Sequence, residues 1–341
     1  MNRWVVRGLI LCSAAMLMQP AWAADEQGGD QSNVSKARQA LAKKKGDSDS
    51  TKQLEQVFEA SQKNYSLLKA GHQDLTYAFD YTYTADQRID LKVLNGQIYN
   101  LDVTPSATHE FDNSFSYDYG LLDNLTIGTR IPLISKYDSQ SQLSTNNIGD
   151  ISFTTRWQPL PYVPGKMSTT LFGSLTTKTG VSPYEIDVQR ELSTGSGYYS
   201  VSGGASFSKV LDPVVLFGST SLTYNKKVTG LNQVRGAELL TSVDPGLGIS
   251  GSGGFAYSLS YDISLSMSVQ LSYSDKTTLE FSNGAKLESK AQMNGFFSLS
   301  LGTRVSDTTI INTSLGIGLT PDAPDFSLGV SLPINIEGLK K

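Results

Sequence analysis

Cysteine occurs once in the 341 residues, as Cys12 inside an apolar run near the N-terminus. Past that run there is no disulfide, thiolate metal centre or cysteine nucleophile to consider. Leu11 is not the small residue that a lipoprotein signal places before its cysteine. Histidine is nearly as scarce: His72 and His109 are the two in the chain, on different segments. Metal sites need several converging donors, so neither is expected to bind metal, and no cofactor is expected. A hydrolytic barrel would need a serine, a histidine and a carboxylate together. His109 is near the outer start of a strand, but no Gly-x-Ser-x-Gly accompanies it, so the chain is not expected to be an enzyme. After the N-terminal run no stretch reaches the roughly 18 apolar residues of a membrane helix. Basic excess is missing too: the formal net charge is −4, which argues against nucleic acid as a partner.

The first residues have the pattern of a secretory signal. Arg3 and Arg7 precede the apolar run Leu9 to Leu17, and Ala21-Trp22-Ala23 before Ala24 is a small-x-small cleavage site. This assigns 1–23 to a signal peptide. Residues 24–72 form a second region. Asp25 to Ser32 is polar, and Gly46 to Ser50 breaks a short helical pattern carried by Val34, Ala37 and Leu41. Ser50 and Gln53 have capping-box spacing. Leu54, Val57, Phe58, Ser61, Tyr65 and Leu68 then keep three-four spacing, and Gly71 stands where a helix would end. This amphipathic helix would pack on a periplasmic rim, plug a lumen or join protomers.

What the remainder has in abundance is alternation. Leu75, Tyr77, Phe79, Tyr81 and Tyr83 interleave with Thr76, Ala78, Asp80 and Thr82. Such a strand has one apolar and one polar face. The pattern recurs in about twelve strands, near 74–84, 107–120, 124–135, 149–158, 166–178, 197–210, 214–227, 245–259, 262–275, 290–304, 308–320 and 324–336. Many runs have the length of a tilted membrane-spanning strand. Connections alternate too. Long links at 85–106, 136–148, 179–196, 228–244 and 276–289 exchange with short ones such as Leu211-Asp212-Pro213, and only Pro321 to Pro324 is brief where a long link is due. Outer-membrane barrels pair short periplasmic turns with long external loops. Residues 73–341 therefore read as an all-β, transmembrane antiparallel β-barrel in the outer membrane of a Gram-negative bacterium, with both termini periplasmic and lipid as its partner. Tyr119, Trp157, Tyr162, Tyr198, Tyr199, Tyr224 and Tyr273 fall near strand ends, where aromatic girdles sit. Pro132 inside a strand implies the outer rim or a bulge, and Asn113 interrupts an apolar set.

By parity Asp80, Glu110, Asp112, Asp118, Arg130, Arg156 and Arg304 face the lumen. Opposed charges on neighbouring strands either bias what passes or pair to brace a polar interior. A channel, or a barrel whose loops 179–196 and 228–244 bind a partner, would share these features.

Three stretches resemble an outer-membrane transporter family named after the meta-pathway of phenol degradation. They are Tyr119-Gly120-Leu121-Leu122-Asp123-Asn124-Leu125-Thr126-Ile127-Gly128, Gly149-Asp150-Ile151-Ser152 leading to Arg156-Trp157, and Gly318-Leu319-Thr320-Pro321-Asp322-Ala323-Pro324-Asp325-Phe326. Lys63-Asn64-Tyr65-Ser66-Leu67-Leu68-Lys69 followed by Tyr77 to Tyr83 is similar to the branch holding the porin that exports functional-amyloid subunits of the Fap system. That resemblance implies a trimeric twelve-stranded barrel, an unfolded secreted polypeptide as cargo, and a gate within Leu54 to Leu68. The broader family name implies uptake of small, aromatic solutes instead. The chain departs from the branch in its short pre-barrel region, and it ends in Ile336-Glu337-Gly338-Leu339-Lys340-Lys341 with no terminal aromatic.

Overall fold

The structure is a computed structural model. Described are residues 67–334 apart from 95–96, 164, 212, 236–237, 261 and 307–308, with backbone alone over 86–106. The signal segment and the helix positions Leu54, Val57, Phe58, Ser61 and Tyr65 lie outside the described residues.

The described chain is built of strands: β1 (Gln73–Leu94), β2 (Gln97–Leu122), β3 (Leu125–Asp138), β4 (Ser144–Ile148), β5 (Ser152–Trp157), β6 (Ser168–Thr176), β7 (Ser200–Leu211), β8 (Val214–Asn225), β9 (Val228–Arg235), β10 (Glu238–Asp244), β11 (Gly248–Ser258), β12 (Ile263–Ser274), β13 (Thr278–Phe281), β14 (Lys286–Glu288), β15 (Gln292–Ser306), β16 (Thr309–Gly318) and β17 (Phe326–Ile334). Thirteen of them form one antiparallel sheet, in which β4 and β5 pair in tandem with β3 and make a single span. Twelve spans result. Closure is by β1 on β17, with Leu75 opposite Ile334 and Tyr83 opposite Phe326, and β4 is the one strand of the sheet paired on a single side among the described residues.

Alternation sorts each strand into an outer and an inner face. Outward lie Ile127, Ile131, Phe153, Leu171, Leu222, Leu271 and Leu301, with Leu222 64% exposed. Inward lie Thr126, Thr170, Ser206, Ser264 and Ser266, all nearly inaccessible. Apolar residues outside and hydroxyls inside invert the pattern of a water-soluble protein, and this fits a barrel immersed in lipid. Asn113 does not break the apolar face, because its Oδ1 accepts a 2.7 Å hydrogen bond from the Tyr77 hydroxyl.

The rim where the chain enters at Leu67 and leaves at Ile334 is called proximal, the other distal. Distal connections differ most from expectation. Residues 85–106 are not a loop: β1 and β2 stay paired as a long hairpin up to Leu94 opposite Gln97. The links 228–244 and 276–289 supply β9, β10, β13 and β14, which form a separate four-stranded sheet at the distal rim. Leu231, Leu240 and Val243 make its small apolar core with Val228, Leu279 and Phe281. Alternating sequence in a link cannot by itself tell an aqueous hairpin from a coil, since short hairpins need a packing partner.

The helix expected to run through Leu68 to Gly71 does not reach those residues. Leu67 to Lys69 are irregular and Gly71 sits in a turn with φ 78°. Their amides are taken by the barrel. Leu68 N–H donates to Thr126 Oγ1, Ala70 N–H to Asp123 Oδ1, and Gly71 N–H to the Gly120 carbonyl. Bonds made to the wall replace the i−4 bonds a helix would need. A Cβ at Gly120 would stand 2.1 Å from the Lys69 carbonyl oxygen, so this glycine lets the chain cross the inner wall at the proximal rim.

Candidate functional site: lumen wall and distal mouth

Strands β1 to β5 carry the charged part of the lumen. β2 and β3 hold Glu110 directly opposite Lys136, and the two side chains meet at 3.1 Å. Nearer mid-height, Arg130 of β3 reaches Asp112 at 2.6 Å. Towards the proximal rim Asp118 binds Arg156 of β5 at 2.6 Å, with side chains only 11% and 9% exposed. Asp118 and Arg156 are separated by β3, and Gly128 makes their contact feasible: a Cβ there would come within 2.1 Å of Asp118 Oδ1. Asp80 of β1 lies opposite Asp112, and its carboxylate covers Gly329 of β17. The structure thus brings Asp80, Glu110, Asp112, Asp118, Arg130 and Arg156 onto one wall. Arg304 lies apart from them, at the proximal end of β15. Lys136 belongs with this group and was missed by the sequence reading, although even parity extended along β3 would have found it.

The opposite wall is neutral. Inward positions of β7, β8, β11 and β12 are mostly serine and glycine, and Ser219–Ser252 and Ser221–Ser250 pair across strands at 2.7 Å. Phenylalanines lie over glycines of the neighbouring strand: Phe172 over Gly204, Phe217 over Gly254, Phe296 over Gly316. Each ring covers backbone that a glycine leaves bare. None of the three was singled out from sequence, because alternation places them among the polar set.

A bulge controls the distal mouth. Leu133 pairs with Ile148 and Arg130 with Ser152, so two residues of β3 face three, Gly149, Asp150 and Ile151. Pro132 sits there, fully buried, its carbonyl accepting from Gly149 N–H. Asp150 turns its carboxylate to the link 177–199, accepting from Gly180 N–H at 2.9 Å and from the Ser196 amide and hydroxyl at 2.6 Å. The far side of that link meets the distal sheet. Tyr184 packs on Leu231, Leu240 and Val243, and Arg235 donates to the Pro183 carbonyl. A cavity of about 320 Å³ opens between Tyr184, Tyr198, Asn225, Asp275, Lys290 and Gln292. Burial pushes the Tyr184 and Tyr198 hydroxyls above the usual tyrosine range; Tyr198 adds to the effect on Tyr184, and Asp150 to that on Tyr198. Both therefore stay protonated well above neutral pH. Tyr198 belongs to this cavity and not to the girdle. Trp157, Tyr162, Tyr199, Tyr224 and Tyr273 are exposed. His109 joins an aromatic cluster with Tyr81, Tyr83 and Tyr137, its Nδ1 2.9 Å from the Tyr81 hydroxyl.

No family model matches the chain. Among solved structures the COG4313 outer membrane channel from Pseudomonas putida F1 aligns with a TM-score of 0.59 at 14% identity, over 79% of this chain and 97% of that one. The fold is that of an outer-membrane β-barrel. The translocator domain of autotransporter NalP from Neisseria meningitidis (TM-score 0.48, 9% identity, 89% and 98% covered) and a deltaS2S3 mutant of the TodX monoaromatic hydrocarbon channel (0.44, 11%, 81% and 92%) are less alike. Both fall below the likeness that fixes a fold.

Proposed function

We propose that this barrel is a passive outer-membrane channel, with both termini in the periplasm and the distal rim outside the cell. The observation that carries it is the two-sided wall: lipid-compatible residues outside, and inside a lining of paired charges facing neutral hydroxyls. An interior meant only to be filled would carry larger side chains where this wall has serine and glycine. Serine and glycine keep side chains short and leave hydrogen-bonding groups for whatever moves past. The likeness in fold to a solved outer membrane channel supports the same reading.

Its cargo, on the resemblance to the amyloid-export branch, is an unfolded secreted polypeptide, and the pre-barrel segment is the gate, in a homo-oligomer such as a trimer. The described chain meets the inner wall at Leu68, whose amide donates to Thr126 Oγ1. This contact supports a pre-barrel segment that begins at the proximal mouth. Deleting residues 34–70 should raise single-channel conductance in planar bilayers, and unchanged conductance would remove the gate.

A second reading, uptake of small solutes, is favoured by the distal cavity, whose volume is that of a small-molecule site. Liposome swelling with phenolic and sugar solutes separates the two. Rapid swelling by the intact protein favours uptake; swelling only after the deletion favours export. A barrel that conducts in neither form would be structural or adhesive.

A further inference from the structure

The charged wall is not balanced at mid-height. Glu110, Asp112 and Asp118 each have a cation, namely Lys136, Arg130 and Arg156. Asp80 has none: among the described residues it makes no ion pair or hydrogen bond. Arg130, the partner of the facing carboxylate, is committed to Asp112 at 2.6 Å. Asp80 and Asp112 stand opposite one another on β1 and β2, so two carboxylates share one guanidinium. The groups on the other side of Asp80 are neutral, Gly329 of β17 and Ser314 of β16. Arg130 is 42% exposed along its side chain, so this cluster is open to lumen water. A second carboxylate, Asp150 at the distal mouth, is held by Gly180 and Ser196 and makes no ion pair among the described residues.

We infer that the lumen prefers cations, and that Asp80 is the residue setting this preference. The inference rests on the channel reading given above. Fixed charge on a pore wall enriches the opposite ion and repels the like one. The neutral wall across the lumen supplies no opposing basic cluster. Asp80 leans over a glycine and makes no bond that its amide would lose. Asp80→Asn should therefore remove the charge and spare the fold. Asp112→Asn removes the same unit of charge but also the 2.6 Å bond to Arg130, which is left with Asp80 as the neighbouring carboxylate.

The experiment is the reversal potential of protein purified from the membrane, in planar bilayers under a potassium chloride gradient. Low salt is required, near 0.1 M, where screening reaches only about 10 Å. Wild type should pass potassium in preference to chloride. Asp80→Asn should lower the permeability ratio about two- to five-fold, the effect of one unit charge at roughly 8 Å in a watery medium. Asp112→Asn should lower it by a similar factor, since it removes the same unit of charge. Raising salt to about 1 M should shrink all three differences. Clear conductance with no cation preference, or a preference untouched by Asp80→Asn, overturns the inference and leaves the channel reading standing. No conductance from wild type or from the protein lacking 34–70 overturns the channel reading itself, and the inference with it.

Discussion

At the scale of single residues, the lumen shows how a glycine can determine an ion pair. Asp118 and Arg156 belong to strands that are not neighbours, and only the bare backbone at Gly128 lets them meet. Breaking a buried pair from one side is costlier than replacing both partners, because one charge loses its compensation. Asp118→Ala should cost about 3 kcal/mol of unfolding free energy, while Asp118→Ala with Arg156→Met should recover most of it. Urea unfolding in lipid vesicles checks this, and a loss below about 1 kcal/mol in the single variant would contradict a buried pair. Asp150 has a different job at the same scale. Three hydrogen bonds accepted by its carboxylate fix the link 177–199, and bonds to a charged acceptor contribute about 1.5–3 kcal/mol each. Asp150→Ala should raise the rate of tryptic cleavage at Lys178 and Arg190 about tenfold or more, with the barrel intact. Equal rates would mean that the link is held without Asp150, by contacts such as Tyr184 on the distal sheet and Arg235 on the Pro183 carbonyl.

Among elements, the barrel strands were legible in the sequence and the distal ones were not. A membrane-spanning strand must place every second residue in lipid, so its two faces are written in hydropathy. Runs such as Ile263 to Ser274 therefore appear in both sequence and structure at nearly the same bounds. β9, β10, β13 and β14 stand in water, where one partial apolar core suffices and the pattern is weak. Val228, Leu231, Leu240, Val243 and Leu279 are dispersed over two links, and only their meeting around Tyr184 gives them meaning. Glu280 ties the same sheet together, bonded to Lys227 at 3.0 Å, Lys286 at 2.8 Å and Ser242 at 2.5 Å. Hydrogen bonds from Lys286, Ser242 and Lys227 hold its carboxyl at about 2, below its ordinary 4.5. A depressed folded-state value means that the stabilisation is complete above 4.5 and fades as pH falls through about 2. Hydrogen exchange of β9, β10, β13 and β14 should thus lose protection between those pH values before the barrel does, and Glu280→Gln should flatten that dependence. Protection independent of pH in this window would exclude Glu280 as the tie.

For the whole molecule, two decisions come from different sources. Alternation, span length and loop asymmetry are properties of the chain, since lipid outside and water inside constrain each strand separately. From them followed the twelve spans and the parity that puts Asp80, Glu110, Asp112, Asp118, Arg130 and Arg156 on the polar face; proline's missing N–H left Pro132 at the outer rim or a bulge, and the structure has it at a bulge. Which charges cancel was beyond the sequence. Pairing depends on register and stagger between strands, and parity fixes only the face. The shift that puts Arg130 beside Asp112 leaves Asp80 alone, and from that one unpaired carboxylate comes the predicted cation preference. The same holds at the two mouths. Gly120 admits the incoming chain, and Asp150 with Tyr184 fastens the outgoing link between wall and distal sheet. The sequence by itself determined that a barrel with two unlike faces must form, because each strand meets two solvents. Only the tertiary structure decided which side chains share a wall and what covers the mouth, because those contacts join residues that hydropathy treats as independent.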